Sequence, residues 1–208
     1  MHPLLDSALT ELEGFEGSAQ GQVGLAESFV AHLARHPDAL WRHGPPEHLT
    51  ASCLVLDPSG ARVLLTHHRR GGFWAQLGGH CEPADTSLPM AALREAREES
   101  GLDQLRLLPG PIDLDRHELS AAFGRCRAHL DVRYVAVATS TRLPRVSAES
   151  LEVAWHDVTA LPAGSVADLG RLIAAAHVRL GSLDTGAGER SRAGSAPQTV
   201  QGSAQVGP

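Results

Sequence analysis

Short, mainly apolar runs in the middle of the chain predict the strands of a β-sheet. Residues 50–56, 62–67 and 129–137 are such runs, and a Pro-Ser-Gly turn at 58–60 separates the first two. Residues 152–155 form a shorter run of the same kind. Runs of this length between turn residues are typical of buried strands. We therefore predict a sheet whose strands come from distant parts of the sequence.

Helical spacing of apolar residues predicts a helix after the last of these strands. Residues 166–180 place Val166, Leu169, Ile173 and Ala176 on one stripe. A stripe with a period of about 3.6 residues is the mark of an amphipathic helix that packs on a core.

The first 45 residues contain two further helical patterns, at 4–15 and 23–36, which a Gly- and Ser-containing segment at 17–21 separates. The apolar stripes indicate packing against the core or against a partner subunit. A more specific alternative is that these helices form a lid or an element that selects the substrate. We assign residues 1–45 to a helical N-terminal extension.

The end of the chain has a different composition. Residues 181–208 are rich in Gly, Ser, Ala and Gln and contain almost no large apolar residue. Such a segment buries too little surface to offset the entropy lost on ordering. We therefore expect a disordered C-terminal tail.

Composition favours one soluble domain with these extensions. The chain has 208 residues, of which 42% are hydrophobic, and a formal net charge of −6. An acidic chain does not suggest a nucleic-acid partner, and no apolar run reaches the roughly 20 residues of a membrane span. The first residues lack the features of a secretory signal, and three scattered cysteines fit a reducing compartment. We expect a cytoplasmic protein.

The candidate chemistry lies in an acidic helix. If residues 88–100 are helical, Glu95, Glu98 and Glu99 stand at i, i+3 and i+4 on one face. Like charges at this spacing repel each other, so a positive group should sit among them. Divalent cations such as Mg²⁺ take oxygen ligands and share them with substrate phosphates. The pattern therefore favours a metal platform for attack on a phosphate ester or anhydride.

A solvated acidic helix face is the simpler interpretation of the same residues. Gly101 follows the acidic turn directly and is suited to a left-handed helix cap. The carboxylates then lie at the helix C-terminus, where the macrodipole disfavours negative charge. Their placement weighs against a face that serves solubility alone.

The segment from Gly79 to Leu102 resembles the signature of the Nudix hydrolases. Gly79 matches the opening glycine, and residues 94–102 match the whole second half of the box. Asp85 stands where the family usually has Glu, and eight residues rather than seven separate it from Arg94. The extra residue falls in the loop before the helix, around residues 86–89, and leaves the spacing of the glutamates unchanged.

The resemblance covers residues 46–180 and implies the family's α/β/α sandwich with a mixed β-sheet. It implies an enzyme that cleaves a diphosphate linkage in a nucleoside diphosphate joined to another moiety, with Mg²⁺ or Mn²⁺ as cofactor. It assigns the metal to Glu95, Glu98 and Glu99, and catalysis to Glu98, Glu99 and Arg94. Arg94 is expected to orient its neighbours, by pairing with acidic groups such as Asp85.

The expected substrate-binding residues surround this platform. Gly78 and Gly79 let the backbone approach the substrate closely. Arg69 and Arg70 follow the second predicted strand and could neutralise a phosphate. Trp74 offers a ring face for packing or for base stacking.

Three points stay open at the level of sequence. The general base is Glu98, Glu149 or Glu152. The main alternative to a pyrophosphohydrolase is a catalytically inactive Nudix domain that senses a nucleotide ligand, and an unrelated interaction module is a third possibility. The intact glutamates favour the enzyme. We expect a nucleotide-type small molecule as substrate and keep a homodimer as one option.

Histidines give little support for a second metal site. His67, His68 and His80 form no His-x3-His pair on a predicted helix, and the chain has no Cys-x2-Cys pair. The sequence therefore supports a zinc site only weakly.

Overall fold

The computed structural model describes residues 2–17, 19–146 and 150–192. Within these residues the chain forms four α-helices and eight β-strands, with short 3-10 helices at Pro37–Leu40 and Ala121–Phe123. The α-helices are α1 (Pro3–Glu13), α2 (Gln22–Arg35), α3 (Leu88–Ser100) and α4 (Leu169–Arg192). The strands are β1 (Glu47–Leu56), β2 (Arg62–His68), β3 (Trp74–Ala75), β4 (Leu77–His80), β5 (Leu105–Leu107), β6 (Asp113–Glu118), β7 (Ala128–Ala138) and β8 (Ser150–Asp157).

Strands β1 and β7 form the centre of the sheet and run parallel to each other, with Thr50 opposite Asp131. The other strand pairs are antiparallel. Val55 and Leu56 at the end of β1 pair with β2, whereas residues 50–53 of β1 pair with β4, so β2 and β4 lie along the same edge of β1. The sheet is therefore mixed, as predicted.

Two apolar layers cover the faces of this sheet. One layer joins α1, α2 and α3 to the odd-numbered residues of β1, such as Ala51 and Cys53. The other joins α4 to Leu54 and Leu56 of β1, which point to the opposite face. Alternation along β1 thus supplies both cores. Helices on both faces of a mixed sheet confirm the predicted α/β/α sandwich.

The N-terminal helices belong to the first of these cores. Leu4 and Ala8 of α1, and Phe29 and Leu33 of α2, are each no more than 1% exposed. Their apolar stripes pack within the chain itself, which is one of the two packing arrangements that the sequence allowed. The limits of a separate extension at 1–45 stay a prediction.

Helix α4 begins later and ends later than its sequence pattern suggests. It begins at Leu169, because the backbone N–H of Val166 donates to the carbonyl of Trp74 at 2.9 Å and extends the β3 edge instead. It continues to Arg192, whereas the composition predicts a disordered tail from residue 181. Adding residues to an existing helix costs far less than nucleating one. Residues 193–208 of the expected tail lie outside the described residues.

No helix within the described residues is long and apolar enough to cross a lipid bilayer.

Candidate active site

Helix α3 has clear local determinants at both ends. The Ser87 side chain caps the N-terminus and accepts a hydrogen bond from the Met90 N–H at 3.4 Å. Gly101 ends the helix with a φ of 66°, and its N–H donates to the Arg97 carbonyl at 2.7 Å. The apolar face of the helix packs on the sheet through Leu88, Ala91, Ala92 and Ala96. The acidic residues therefore lie on the remaining part of the surface.

The three glutamates differ in exposure although they share one helix face. The Glu98 side chain is 58% exposed and the Glu95 side chain 15%. Glu99 is buried, and its carboxylate accepts a hydrogen bond from the Gly78 N–H at 3.2 Å. All three line one cavity of about 500 Å³.

Arg94 is the positive group among these carboxylates. Its guanidinium donates to both oxygens of Asp85, at 3.1 and 2.9 Å, and to the His80 carbonyl at 3.0 Å. It also donates to Glu95 at 2.9 Å and to Glu98 at 3.0 Å. Partial burial by itself would lower the pKa of Arg94, but the hydrogen bond to Asp85 and the carboxylate charges raise it. Arg94 therefore stays charged and fixed.

The pairing of Arg94 with Asp85 confirms the prediction that this arginine ties the loop to the helix. Asp85 is 7% exposed and also accepts a hydrogen bond from the Glu82 N–H at 2.8 Å. The additional residue between Asp85 and Arg94 does not prevent the bidentate contact. Helix α3 begins at Leu88, so the insertion is absorbed before the first helical turn.

Gly78 and Gly79 occupy positions that a side chain could not enter. A Cβ on Gly78 would lie 2.3 Å from the Ser52 Cβ, and one on Gly79 would lie 2.9 Å from the Glu95 carboxyl carbon. Both distances are too short for real contacts. The close approach of β4 to β1 therefore depends on Gly78, and its approach to the Glu95 carboxylate of α3 depends on Gly79.

A second, larger cavity of about 580 Å³ adjoins the carboxylates. Gly79 and Glu99 line both cavities, so the two meet at the end of β4. Arg70 contributes to the rim of the larger cavity. A ligand that occupied both cavities would pass directly over Gly79.

Asp131 of β7 forms the floor of the larger cavity and is 3% exposed. It accepts hydrogen bonds from the Thr50 and Ser52 hydroxyls at 2.9 and 2.8 Å, and from the Arg133 Nε at 2.9 Å. Burial alone would raise the pKa of Asp131, but the charge of Arg133 and these hydrogen bonds lower it. Asp131 is therefore held in its charged form beside the Arg133 guanidinium, which also lines the cavity.

Arg133 links this floor to further acidic groups. It pairs with Asp113 at 3.2 Å, with Asp115 at 3.1 Å and with Asp168. Burial raises the pKa of Asp113 to about 6, although Arg171 and Arg133 oppose the shift. The network holds the first residues of α4 against β6 and β7.

Comparison with known proteins identifies the family. A family model described as the NUDIX domain matches residues 46–176. The chain belongs to the NUDIX domain family. The match spans well over half of the chain and includes every residue of the Nudix box. No curated protein matches the sequence.

Solved Nudix structures share this fold. A NUDIX-family hydrolase from Clostridium perfringens is 24% identical, with a TM-score of 0.53, and the match covers 63% of this chain and 97% of that one. An Ap4A hydrolase from C. elegans is 18% identical, with a TM-score of 0.55 and coverage of 64% and 98%. The E. coli dihydroneopterin triphosphate pyrophosphohydrolase is 20% identical, with a TM-score of 0.50 and coverage of 60% and 91%.

Only some of the residues predicted to bind substrate line one of the two cavities. Gly78, Gly79 and Arg70 line the larger cavity. Arg69 is not among the residues that line either cavity, and its guanidinium donates to the Ser150 carbonyl at 2.8 Å. Trp74 also lies outside both cavity linings, because it stacks on His67 and packs in the α4 core. This placement favours Arg70 over Arg69 and Trp74 as a substrate contact.

The three candidates for the general base lie in different places. Glu98 lines the smaller cavity. Glu152 is exposed on β8 opposite His67 and belongs to neither cavity lining. Glu149 lies outside the described residues. The geometry favours Glu98 over Glu152.

Sequence reasoning missed the polar floor of the larger cavity. Asp131 and Arg133 lie two residues apart in a strand that is otherwise mainly apolar. In a buried central strand, charged residues with a spacing of two share one face and must be paired. The spacing of two between Asp131 and Arg133 was the sequence feature that could have predicted this polar floor.

Proposed function

We propose that this protein is a metal-dependent Nudix pyrophosphohydrolase that cleaves the diphosphate linkage of a nucleoside diphosphate joined to another moiety. One observation carries the proposal. The carboxylates of Glu95, Glu98 and Glu99 line a cavity that meets a second cavity at Gly79. The phosphate groups of a substrate could therefore bind in the carboxylate-lined cavity and the rest of the substrate in the adjoining one.

The residues present suit a hard divalent cation. Glu95, Glu98 and Glu99 offer only carboxylate oxygens, which are the ligands that Mg²⁺ and Mn²⁺ prefer. Because Gly79 has no side chain, the Glu95 carboxylate can lie close to the backbone of β4. When bound, Mg²⁺ or Mn²⁺ would withdraw charge from phosphoryl oxygens and lower the pKa of a coordinated water.

The chain's own residues would orient this site. Arg94 holds Glu95 and Glu98 in place, which limits the rotamers that their carboxylates can adopt. The Gly78 N–H holds the Glu99 carboxylate from the other side. Glu98 is the group that we propose as the general base, since it is the most exposed of the three and lines the cavity.

The larger cavity would hold the part of the substrate beyond the diphosphate. Its volume of about 580 Å³ is in the range typical of small-molecule sites. Arg70 at the rim is placed to meet a phosphate charge, and the Thr50, Ser52 and Asp131 groups on the floor can hydrogen-bond to a polar moiety. We propose a nucleotide-type small molecule, in a cytoplasmic protein.

A substrate panel with purified full-length protein tests this function. The panel contains nucleoside triphosphates, nucleotide sugars, dinucleoside polyphosphates such as Ap4A, nicotinamide dinucleotides and dihydroneopterin triphosphate. Each compound is incubated with Mg²⁺, with Mn²⁺ and with a chelator, and the products are separated by chromatography. We expect metal-dependent cleavage within the phosphate chain of at least one compound.

The inactive sensor makes a different prediction for the same panel. It would bind a nucleotide in calorimetry and leave the whole panel uncleaved with either metal. That result would overturn the enzyme and favour the sensor. Hydrolysis that persists in the chelator would contradict the assigned cofactor.

A further inference from the structure

Four side chains with nitrogen and sulfur donors meet beside the end of β4. They are His48 of β1, His80 of β4, His129 of β7 and Cys126, which precedes β7. One donor atom from each lies within 4.8 Å of all the others. His48 and Cys126 are buried, and His80 and His129 are half-buried. Cys126 and His129 are three residues apart, whereas His48 and His80 are distant from them and from each other in the sequence, so the fold brings the cluster together.

The donor atoms point at each other rather than at separate partners. The His48 Nε2 lies 3.1 Å from the His80 Nε2, while the His48 Nδ1 contacts the Pro45 carbonyl at 2.9 Å. The Cys126 Sγ lies 4.0 Å from the same His80 nitrogen. The His129 Nε2 is buried and makes no hydrogen bond within the described residues. A buried polar atom without a partner is costly, and such atoms are rare in native proteins.

The imidazoles of this cluster are held in the neutral form that metals require. Burial and the neighbouring His48 lower the pKa of His80 to about 4. Burial and the neighbouring His80 lower the pKa of His129 to about 3. Burial also lowers the pKa of His48. Neutral imidazoles bind transition metals without first losing a proton.

We propose that His48, His80, His129 and Cys126 form a tetrahedral site for one Zn²⁺ ion, separate from the carboxylate site on α3. Three imidazoles and one thiol are the donors that zinc selects, whereas Mg²⁺ prefers oxygen. Binding converts the Cys126 thiol to a thiolate and releases one proton to solvent.

The distances require only a small contraction. In a zinc tetrahedron with bonds of about 2.0 to 2.3 Å, nitrogens lie about 3.4 Å apart and nitrogen and sulfur about 3.6 Å apart. The two nitrogens of His48 and His80 are already 3.1 Å apart, and the cluster limit of 4.8 Å leaves at most about 1.4 Å to close between any two donors. The Pro45 carbonyl fixes the His48 ring so that its Nε2 faces the centre, as outer partners of zinc-bound histidines do.

Four protein ligands leave no open position, so the site would be structural rather than catalytic. It would tie β1, β4 and β7 together next to Gly79. His80 connects it to the active site, because the His80 carbonyl accepts a hydrogen bond from Arg94 at 3.0 Å. We therefore expect zinc to stabilise the end of β4 on which the proposed active site depends.

The test uses untagged full-length protein in excess Mg²⁺, which occupies carboxylate sites. Metal analysis and competition with a chromogenic chelator measure the zinc stoichiometry. Titration with Co²⁺ then reports geometry, since a tetrahedral site with a thiolate gives visible bands and a near-ultraviolet charge-transfer band. We expect one equivalent of zinc per chain, a melting temperature raised by several degrees with zinc, and both cobalt signatures.

Substitutions locate the ion. Cys126→Ser should abolish the charge-transfer band, and His129→Gln should weaken zinc binding at least tenfold. His36→Gln is the matched control, because His36 is an exposed histidine just after α2, beside His32 with ring centroids 5.1 Å apart. Glu98→Gln should lose hydrolysis and still bind zinc. This variant therefore separates the zinc site from the proposed active site.

Several outcomes would overturn the proposal. These are wild-type protein without stoichiometric zinc, a cobalt complex without the thiolate band, or zinc binding that His36→Gln removes and Cys126→Ser leaves intact. If His129→Gln does not fold, the zinc stoichiometry of the wild-type protein and the cobalt spectrum of Cys126→Ser still test the proposal.

Discussion

At the scale of single residues, the acidic helix face is stabilised by two different kinds of partner. The Arg94 guanidinium contacts Glu95 and Glu98, and the Gly78 N–H contacts Glu99. Each of these contacts places a positive charge or a dipole against a carboxylate. These contacts offset part of the repulsion among three carboxylates at i, i+3 and i+4. Arg94 thus supplies the positive group that the repulsion argument required.

Replacing the glutamates should remove activity and keep the fold. We expect Glu98→Gln and Glu99→Gln each to lower kcat at saturating Mg²⁺ by two or more orders of magnitude, since lost metal stabilisation of the transition state is worth several kcal/mol. Glutamine keeps an oxygen that can accept from the Gly78 N–H, so the melting temperature should change little. Steady-state kinetics and thermal denaturation measure the two effects.

Glu27→Gln, on the exposed face of α2, serves as the control and should leave kcat unchanged. Near-normal turnover in both Glu98→Gln and Glu99→Gln would contradict the assignment of the metal site.

At the scale of elements, the loop before α3 is held to the helix by one buried ion pair. The Asp85 side chain is 7% exposed and the Arg94 side chain 21%. Removing Arg94 leaves the buried Asp85 carboxylate without its charge partner, and removing Asp85 takes away the bidentate partner of Arg94, so both changes are destabilising. The pair therefore positions the carboxylates by fixing where the loop meets the helix.

A double-mutant cycle measures this pair. We expect Arg94→Ala and Asp85→Ala each to reduce the free energy of unfolding by about 2–4 kcal/mol. The double variant should lose at least about 1 kcal/mol less than the sum, because neither charge is then left alone. Urea denaturation gives the three values.

The exposed pair between Arg116 and Glu47 is the comparison, with side chains 38% and 43% exposed. Arg116→Ala should cost about 0.5 kcal/mol or less. Additive losses in the Asp85 and Arg94 cycle would contradict the structural role of the pair.

At the scale of the whole molecule, helices from both ends of the chain cover the two faces of the central sheet. Helices α1 and α2 share the core that supports α3, so the N-terminal region stabilises the site from behind. Helix α4 covers the opposite face through Leu169, Leu172 and Ile173. Residues 193–208 lie beyond the described part of α4, and their composition still predicts disorder.

Deleting residues 193–208 should therefore leave both turnover and the melting temperature nearly unchanged. The segment offers little apolar surface to bury, so its loss removes few stabilising contacts. Leu172→Ala is the matched positive control. Leu172 is fully buried in the α4 core, and its truncation should cost about 2–4 kcal/mol. A large drop in melting temperature on deletion would show that the tail docks on the domain or on a second subunit.

The sequence by itself determined the elements whose signals are local. The apolar runs at 50–56 and 129–137 gave their strands because burial on both faces demands continuous apolar residues. The acidic face of α3 followed from glutamate spacing, and its end followed from Gly101, since helix periodicity and capping involve only near neighbours. The pairing of Asp85 with Arg94 was also foreseen from the box.

Only the tertiary structure decided what distant residues do together. Trp74 packs under α4 and Val166 extends the β3 edge, because the pairing of strands, not local propensity, sets their surroundings. Cys126 and His129 are three residues apart, but His48 and His80 are distant from them and from each other in the sequence. The four residues meet because β4 and β7 pair with the same stretch of β1. Such a site is a product of strand register, which no local pattern in the sequence specifies.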